Sequence, residues 1–259
     1  LASITIYTIA FSLFNYALQL INAMLGGILS VLSKNDRDSQ KALRKNFLLF
    51  TEVSAIIVSY LAVFLLTFGD DFINLWMGNA YEESYAILVI FSFILLITGS
   101  TRSSISLFYA TANHKHYAYI NIIDGMCNLA ISLYLVDEYG LIGIALGTLI
   151  PTVIFRLFIL TNYACKIIEL ATIDYWRIIL PHWGMATILG VLIYLVFQNL
   201  VFSSLVALFL TCIPLSFIYF FICFRYTTSL QLKNLLIKNL RHKVSFLLLK
   251  ILFNTKEAQ

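Results

Sequence analysis

The sequence predicts an all-α fold, a polytopic transmembrane bundle of about seven helical spans. Three observations carry that prediction. Of 259 residues, 61% are hydrophobic and only 12% charged, with a mean hydropathy of +0.90; a soluble domain carries about a quarter charged side chains. The apolar residues form continuous runs long enough for spanning helices, unlike the short alternating segments of a β-barrel. The connections between runs alternate along the whole chain, first with Lys or Arg and then without. The 11 Gly and 3 Pro exclude a collagen-like chain, and the apolar excess excludes disorder. Cys127, Cys165, Cys212 and Cys223 lie far apart inside apolar runs with no CxxC pair, so neither a disulfide framework nor a zinc site is expected.

The first run, Ile4–Leu32, is too long for the apolar core of a signal peptide and has no basic segment before it. Because the chain opens on Leu1, that run is expected to have been preceded by the N-terminal half of a longer transporter. The other runs are Phe47–Phe68, Tyr85–Ala112, Ala118–Val136, Leu141–Tyr163, Ile178–Phe197 and Val201–Phe224. Between the first two, Lys34, Arg37, Lys41, Arg44 and Lys45 cluster. The next connection has Asp70, Asp71, Glu82 and Glu83 and no base; then come Lys115, an Asp137-Glu138 pair, Lys166 with Arg177, and an uncharged turn. Every loop Lys or Arg therefore falls on one side, which the positive-inside rule makes cytoplasmic. The expectation is a multi-pass protein of the cytoplasmic membrane with its C-terminus inside.

Two regions follow: a bundle over 1–224 and a basic tail over 225–259, which holds seven of the 17 bases. Within the tail, Ser229–Phe253 mixes Leu, Ile and Phe with Lys233, Lys238, Arg241, Lys243 and Lys250 at helical spacing. This predicts an amphipathic helix lying on anionic membrane lipids, with no nucleic acid as partner.

Lipid offers nothing to an unpaired amide, so polar positions in a span are expected to face protein or water. Thr5, Ser12, Asn15, Gln19, Asn22 and Gly26 share one face of span one. Span three has Gly99, Arg102, Ser106, Tyr109 and Asn113, and span four has Asn121, Asp124, Asn128 and Ser132. One such stripe is ordinary interhelical hydrogen bonding; three predict a shared hydrophilic cavity. Glu52, Arg102, Asp124 and Arg156 are ionisable and lie about 9–15 Å from the cytoplasmic ends of their spans. Two readings of this layer stand side by side. Glu52 or Asp124 pairs with Arg102 or Arg156 as a structural latch, or the arginines hold an anionic substrate while a carboxylate binds a coupling ion. Substrate-binding candidates are thus Arg102, Arg156, Asn15, Gln19, Asn22, Asn121 and Asn128, and ion-coupling candidates are Glu52 and Asp124.

Gly143 and Gly147 make a small-residue face for close helix approach, and Pro151 is expected to kink its helix. His114 and His116 read as solvated loop residues. No HExxH, GxSxG or Walker motif occurs, so no catalytic residue, cofactor or metal is expected and the chain reads as a non-enzyme.

Several landmarks, in this order, resemble a known family. They are Tyr7-Thr8-Ile9-Ala10 running on to Leu32-Ser33-Lys34; Phe72-Ile73-Asn74-Leu75-Trp76-Met77-Gly78-Asn79-Ala80-Tyr81; Ala112-Asn113-His114-Lys115; and Asn128 followed by Tyr139-Gly140-Leu141-Ile142-Gly143-Ile144-Ala145-Leu146-Gly147-Thr148. Together they resemble the C-terminal half of oligosaccharide-repeat-unit (O-antigen type) flippases, the polysaccharide-biosynthesis branch of the multidrug/oligosaccharidyl-lipid/polysaccharide exporter superfamily. Gly26-Gly27 stands where the family has a proline. The resemblance implies two lobes rocking around a central cavity and a polyprenyl-diphosphate-linked oligosaccharide as substrate, carried to the outer leaflet for surface polysaccharide synthesis. It places no catalytic residue. The alternatives are a multidrug or small-solute exporter, a membrane glycosyl polymerase or acyltransferase, and a structural membrane subunit.

Overall fold

The computed structural model describes residues 2–27, 40–235 and 237. Lys34, Arg37 and most of the expected surface helix Ser229–Phe253 lie outside the described residues. Among those described the architecture is all-α, with no strand. The elements are α1 (Ala2–Leu25), α2 (Gln40–Met77), α3 (Glu83–Ser100), α4 (Arg102–Ala110), α5 (His114–Pro151), a π-helical stretch (Thr152–Leu160), α6 (Thr161–Ile167), α7 (Thr172–Phe197) and α8 (Leu205–Tyr226).

Among the described residues six stretches are long and apolar enough to cross a membrane: Ser3–Leu25, Gln40–Met77, Glu83–Ala110, His114–Ile167, Thr172–Phe197 and Leu205–Tyr226. The expected fourth and fifth spans both fall in the fourth of these. Gly140 breaks α5 there, with φ 56° and ψ −131°, a conformation that only a residue without Cβ adopts cheaply. The arms on either side of it run antiparallel in contact. A Cβ on Gly143 would overlap the Leu135 carbonyl, and one on Gly147 the Ser132 main chain. Ser132 Oγ lies 3.4 Å from the Ile144 carbonyl across the same seam. The small-residue face therefore admits the chain's own preceding arm. The connection expected between the two spans is a one-residue turn.

Two further spans depart locally from a regular α-helix. The third span remains one stretch, Glu83–Ala110, but its helix is interrupted at Thr101, whose φ of −86° and ψ of 6° leave the helical region. Beyond Pro151 the chain widens into the π-helical stretch, with Thr161 Oγ1 donating to the Arg156 carbonyl five residues back. Proline removes one backbone donor, and the hydrogen-bond register changes directly after it.

At the centre, α2 packs along α3 and α7. With 38 residues, α2 is about 57 Å long, nearly twice the thickness of the hydrocarbon core. Gly99 lets α3 settle directly on Val58 of α2. Phe14 of α1 stacks on Phe91 of α3 at 5.1 Å, and Tyr7 meets the same ring edge-on at 5.6 Å; aromatic pairs of this kind add about 0.5–1.5 kcal/mol beyond burial. Arg44 at the start of α2 donates to the Ile168 carbonyl at 2.5 Å and to Glu169 at 2.9 Å. That contact places the α2 start and the α6 end together. Lys41, Lys45, Lys115, Lys166, Arg177 and Arg225 lie by helix succession at this same end. Asp70, Asp71, Glu82, Glu83, Asp137 and Glu138 lie at the other.

Candidate functional site

The expected polar stripes take three different directions. On α1 the packed face is Ile9, Ala10, Leu13, Phe14, Ile21 and Leu25, all buried. At 3.6 residues per turn, Ser12, Asn15, Gln19 and Asn22 fall almost diametrically opposite. Ser12 and Asn15 are half-buried and Gln19 and Asn22 exposed. None of the four side chains has a hydrogen-bond partner among the described residues.

On the first arm of α5 the stripe faces inward, onto the second arm. Asp124 meets Arg156 there, with Oδ2 3.7 Å from Nε and side-chain exposures of 13% and 24%. Asn128 Oδ1 is 3.4 Å from Ser132 Oγ, and Asn121 Nδ2 donates to its own helix at the Tyr117 carbonyl, 3.0 Å away. The pairing expected for Asp124 is present, although at 3.7 Å it is loose. Arg156 sits within the π-helical stretch, and short π segments recur at functional positions. The remaining guanidinium N–H groups of Arg156 have no partner among the described residues.

On the third stripe, Gly99 is buried against α2 and so is packing. Arg102 begins α4, half-buried, and pairs with no carboxylate among the described residues. It stands level with Glu52, because Thr51 Oγ1 and Ser103 Oγ, their neighbours in sequence, are 2.6 Å apart.

Glu52 does not pair with either arginine, which corrects the expectation for it. It is 2% exposed. One carboxylate oxygen accepts from the Ser229 amide at 2.5 Å and the other from the Ser229 hydroxyl at 2.7 Å. His182 Nε2 of α7 lies 3.8 Å away, while its Nδ1 is 2.9 Å from Thr227 Oγ1. The buried carboxylate thus ties the start of the tail to the bundle. A charge in a dry interior persists only when its oxygens are satisfied in this way.

Sequence reasoning missed His182 and a seam of buried hydroxyls. Tyr175, fully buried, reaches the Ser100 carbonyl at 3.3 Å, and Trp183 Nε1 reaches Ser100 Oγ at 3.2 Å. With Thr51 and Ser103 these bonds join α2, α3, α4 and α7. His182 had a signal, an imidazole inside an apolar run. The seam had none, since its partners are far apart in sequence. Asn15, Gln19 and Asn22 are therefore not brought together with Asn121, Asp124, Asn128 and Arg156. The three stripes do not converge on one cavity among the described residues.

Residues 1–86 match the model of the polysaccharide biosynthesis protein family. The matched third contains α1 with its outward polar face, all of α2 with Glu52, and the beginning of α3. Arg102, Asp124 and Arg156 lie beyond it. No curated protein and no solved structure matches the chain. The match associates the first third of this multi-pass helical bundle with polysaccharide biosynthesis.

Proposed function

We propose that the protein translocates a polyprenyl-diphosphate-linked oligosaccharide across the cytoplasmic membrane, as a transporter rather than an enzyme, with its basic end and C-terminus in the cytoplasm. The observation that carries this reading is the outward face of α1. Ser12, Asn15, Gln19 and Asn22 present hydroxyls and carboxamides where lipid can satisfy none of them. A wall of a water-filled passage, closed on its far side by a second helical lobe, satisfies them all, and a carbohydrate head bonds to such groups readily. The match over 1–86 favours an oligosaccharide cargo over a drug or small solute. Arg102 and the loosely held Arg156 supply cationic donors of the bidentate kind that suits a diphosphate. Of the two carboxylates considered for ion coupling, Asp124 has the freer oxygens, because both oxygens of Glu52 are bonded to Ser229.

The test is complementation of surface polysaccharide by the full-length protein carrying Gln19→Leu and Asn22→Leu. Apolar replacements leave the packed face of α1 untouched, so membrane levels are expected to hold. Polysaccharide export is expected to fall about tenfold, the equivalent of 1.4 kcal/mol of lost substrate interaction. Export at the native level from the double variant would overturn the reading.

A further inference from the structure

Two cavities adjoin at the acidic end of the bundle, and no expected site residue lines either. The deeper one, of about 280 Å³, runs between α2, α3 and α7 past Ala62, Leu66, Phe93, Leu96, Gly190 and Val191. The outer one, of about 240 Å³, has a polar lining that includes Asp70, Asp71, Tyr85 and Gln198. Thr67 and Tyr194 line both, so the two form one crevice. Its apolar part extends along α2 from Ser59 to Leu66, with Asp70 beyond it. From Ser59 to Asp70 is about 16 Å at helical rise, half the thickness of the hydrocarbon core. With the apolar run Phe47–Phe68 set in hydrocarbon, the mouth at Asp70 and Asp71 falls at headgroup depth.

The charge at the mouth is one-sided. Asp70 accepts only from Asn74 Nδ2, at 3.3 Å, and Asp71 has no hydrogen bond or ion pair among the described residues. Glu82 adds its charge close to Asp70. The sequence places no Lys or Arg in any connection at this end. An anionic headgroup is repelled here, and so is a diphosphate, whereas an ammonium gains charge-assisted bonds from two carboxylates. A bare metal ion would leave the attached apolar groove empty.

We propose that this crevice binds a bilayer lipid with a primary-amine headgroup, of the ethanolamine type, drawn from the leaflet at the acidic end. One acyl chain fills the groove between α2, α3 and α7. The ammonium lies between Asp70 and Asp71, and the Tyr194 hydroxyl and Gln198 amide donate to the phosphate. The site is independent of the translocation reading, since the diphosphate-linked cargo carries the wrong charge for it. Its occupant fills the space between α3 and α7, both of which pack along α2.

The purified full chain in detergent is titrated with dioleoyl-phosphatidylethanolamine, -phosphatidylcholine or -phosphatidylglycerol, and bound lipid is read by native mass spectrometry. The ethanolamine lipid is expected to be held about tenfold more tightly than either other lipid, or 1.4 kcal/mol. Asp70→Asn with Asp71→Asn should abolish that preference without releasing every lipid. Val191→Trp, at a 53% exposed position that tolerates bulk, should reduce retention of all three by filling the groove. An unaltered thermal transition shows that each variant is folded; a variant with a lowered transition is replaced by Asp71→Asn or Thr187→Trp alone, scored by the same criteria. Equal or tighter binding of phosphatidylglycerol, a preference that survives the double Asn variant, or tighter binding of an added glycosyl-diacylglycerol would each overturn the proposal.

Discussion

Replacing Glu52 with Leu should release the start of the tail. The carboxylate is 2% exposed, so water does not take over its bonds. It accepts from the Ser229 amide at 2.5 Å and the Ser229 hydroxyl at 2.7 Å. A hydrogen bond to a charged group contributes about 1.5–3 kcal/mol. The amide bond alone thus predicts exchange of the Ser229 N–H about 10–100-fold faster in the variant, at 1.4 kcal/mol per decade. Glu52→Gln keeps a carbonyl acceptor and a neutral bond of about 1 kcal/mol, so its acceleration should be several times smaller. Ser229→Ala removes only the hydroxyl bonds, including the one at 3.2 Å that caps the following turn through the Leu232 amide. The assay is hydrogen–deuterium exchange of the purified protein, followed by mass spectrometry of fragments covering 227–235. The expected order of exchange is Glu52→Leu fastest, then Glu52→Gln, then native. Native-rate exchange at Ser229 in Glu52→Leu would refute the assignment of Glu52 as the tail anchor.

Asp124→Asn should leave Arg156 uncompensated in the membrane and destabilise the protein by on the order of 3 kcal/mol; the double variant with Arg156→Gln should recover most of that in a thermal-shift measurement, and a double variant no better than the single would argue against direct pairing. Gly147→Val has no space, because its Cβ would overlap the Ser132 main chain; it should lower the thermal transition, while the same change at Gly125, a helical position with open space around it, should not lower it, because valine has the higher helix propensity of the two. Gly140→Ala imposes a positive φ on a side chain and should cost about 1–3 kcal/mol, read in the same assay.

The apolar spans were legible because the bilayer sets their length, and length survives in sequence without any alignment. The charge asymmetry was equally legible, and Arg44 against Ile168 and Glu169 bears out the grouping of at least those loops at one end. Periodicity established that α1 has a polar face; it carries no information on which way that face turns relative to the neighbouring helices. Asp137 and Glu138 suggested a solvated loop, yet the reversal is made by Gly140 alone, so the turn residue was hidden inside a motif read for packing. The pairing of Asp124 with Arg156 was among the options because both are charged and similarly deep. The pairing of Glu52 with Ser229 was not, because a backbone amide beyond the last span leaves no mark in composition. His182 could have been found by treating an imidazole in an apolar run as ionisable, on the same footing as Glu52.

The hairpin at Gly140 also bears on how the chain enters the membrane. Its contacts nest by sequence distance: Gly143 on Leu135 nearest the turn, then Ser132 to Ile144, then Gly147 on Ser132, then Arg156 on Asp124. Contacts this local close quickly, because little chain must be ordered to make each. The two arms are therefore suited to zip from the turn and to partition into lipid as a pair. Inserted singly, each arm would carry one charge, at about 2.5–3.5 kcal/mol on the biological insertion scale. Inserted together, the two charges enter already facing each other. The Glu52–Ser229 bond, spanning 177 residues, belongs at the opposite end of that order. It can form only after α8 has been synthesised.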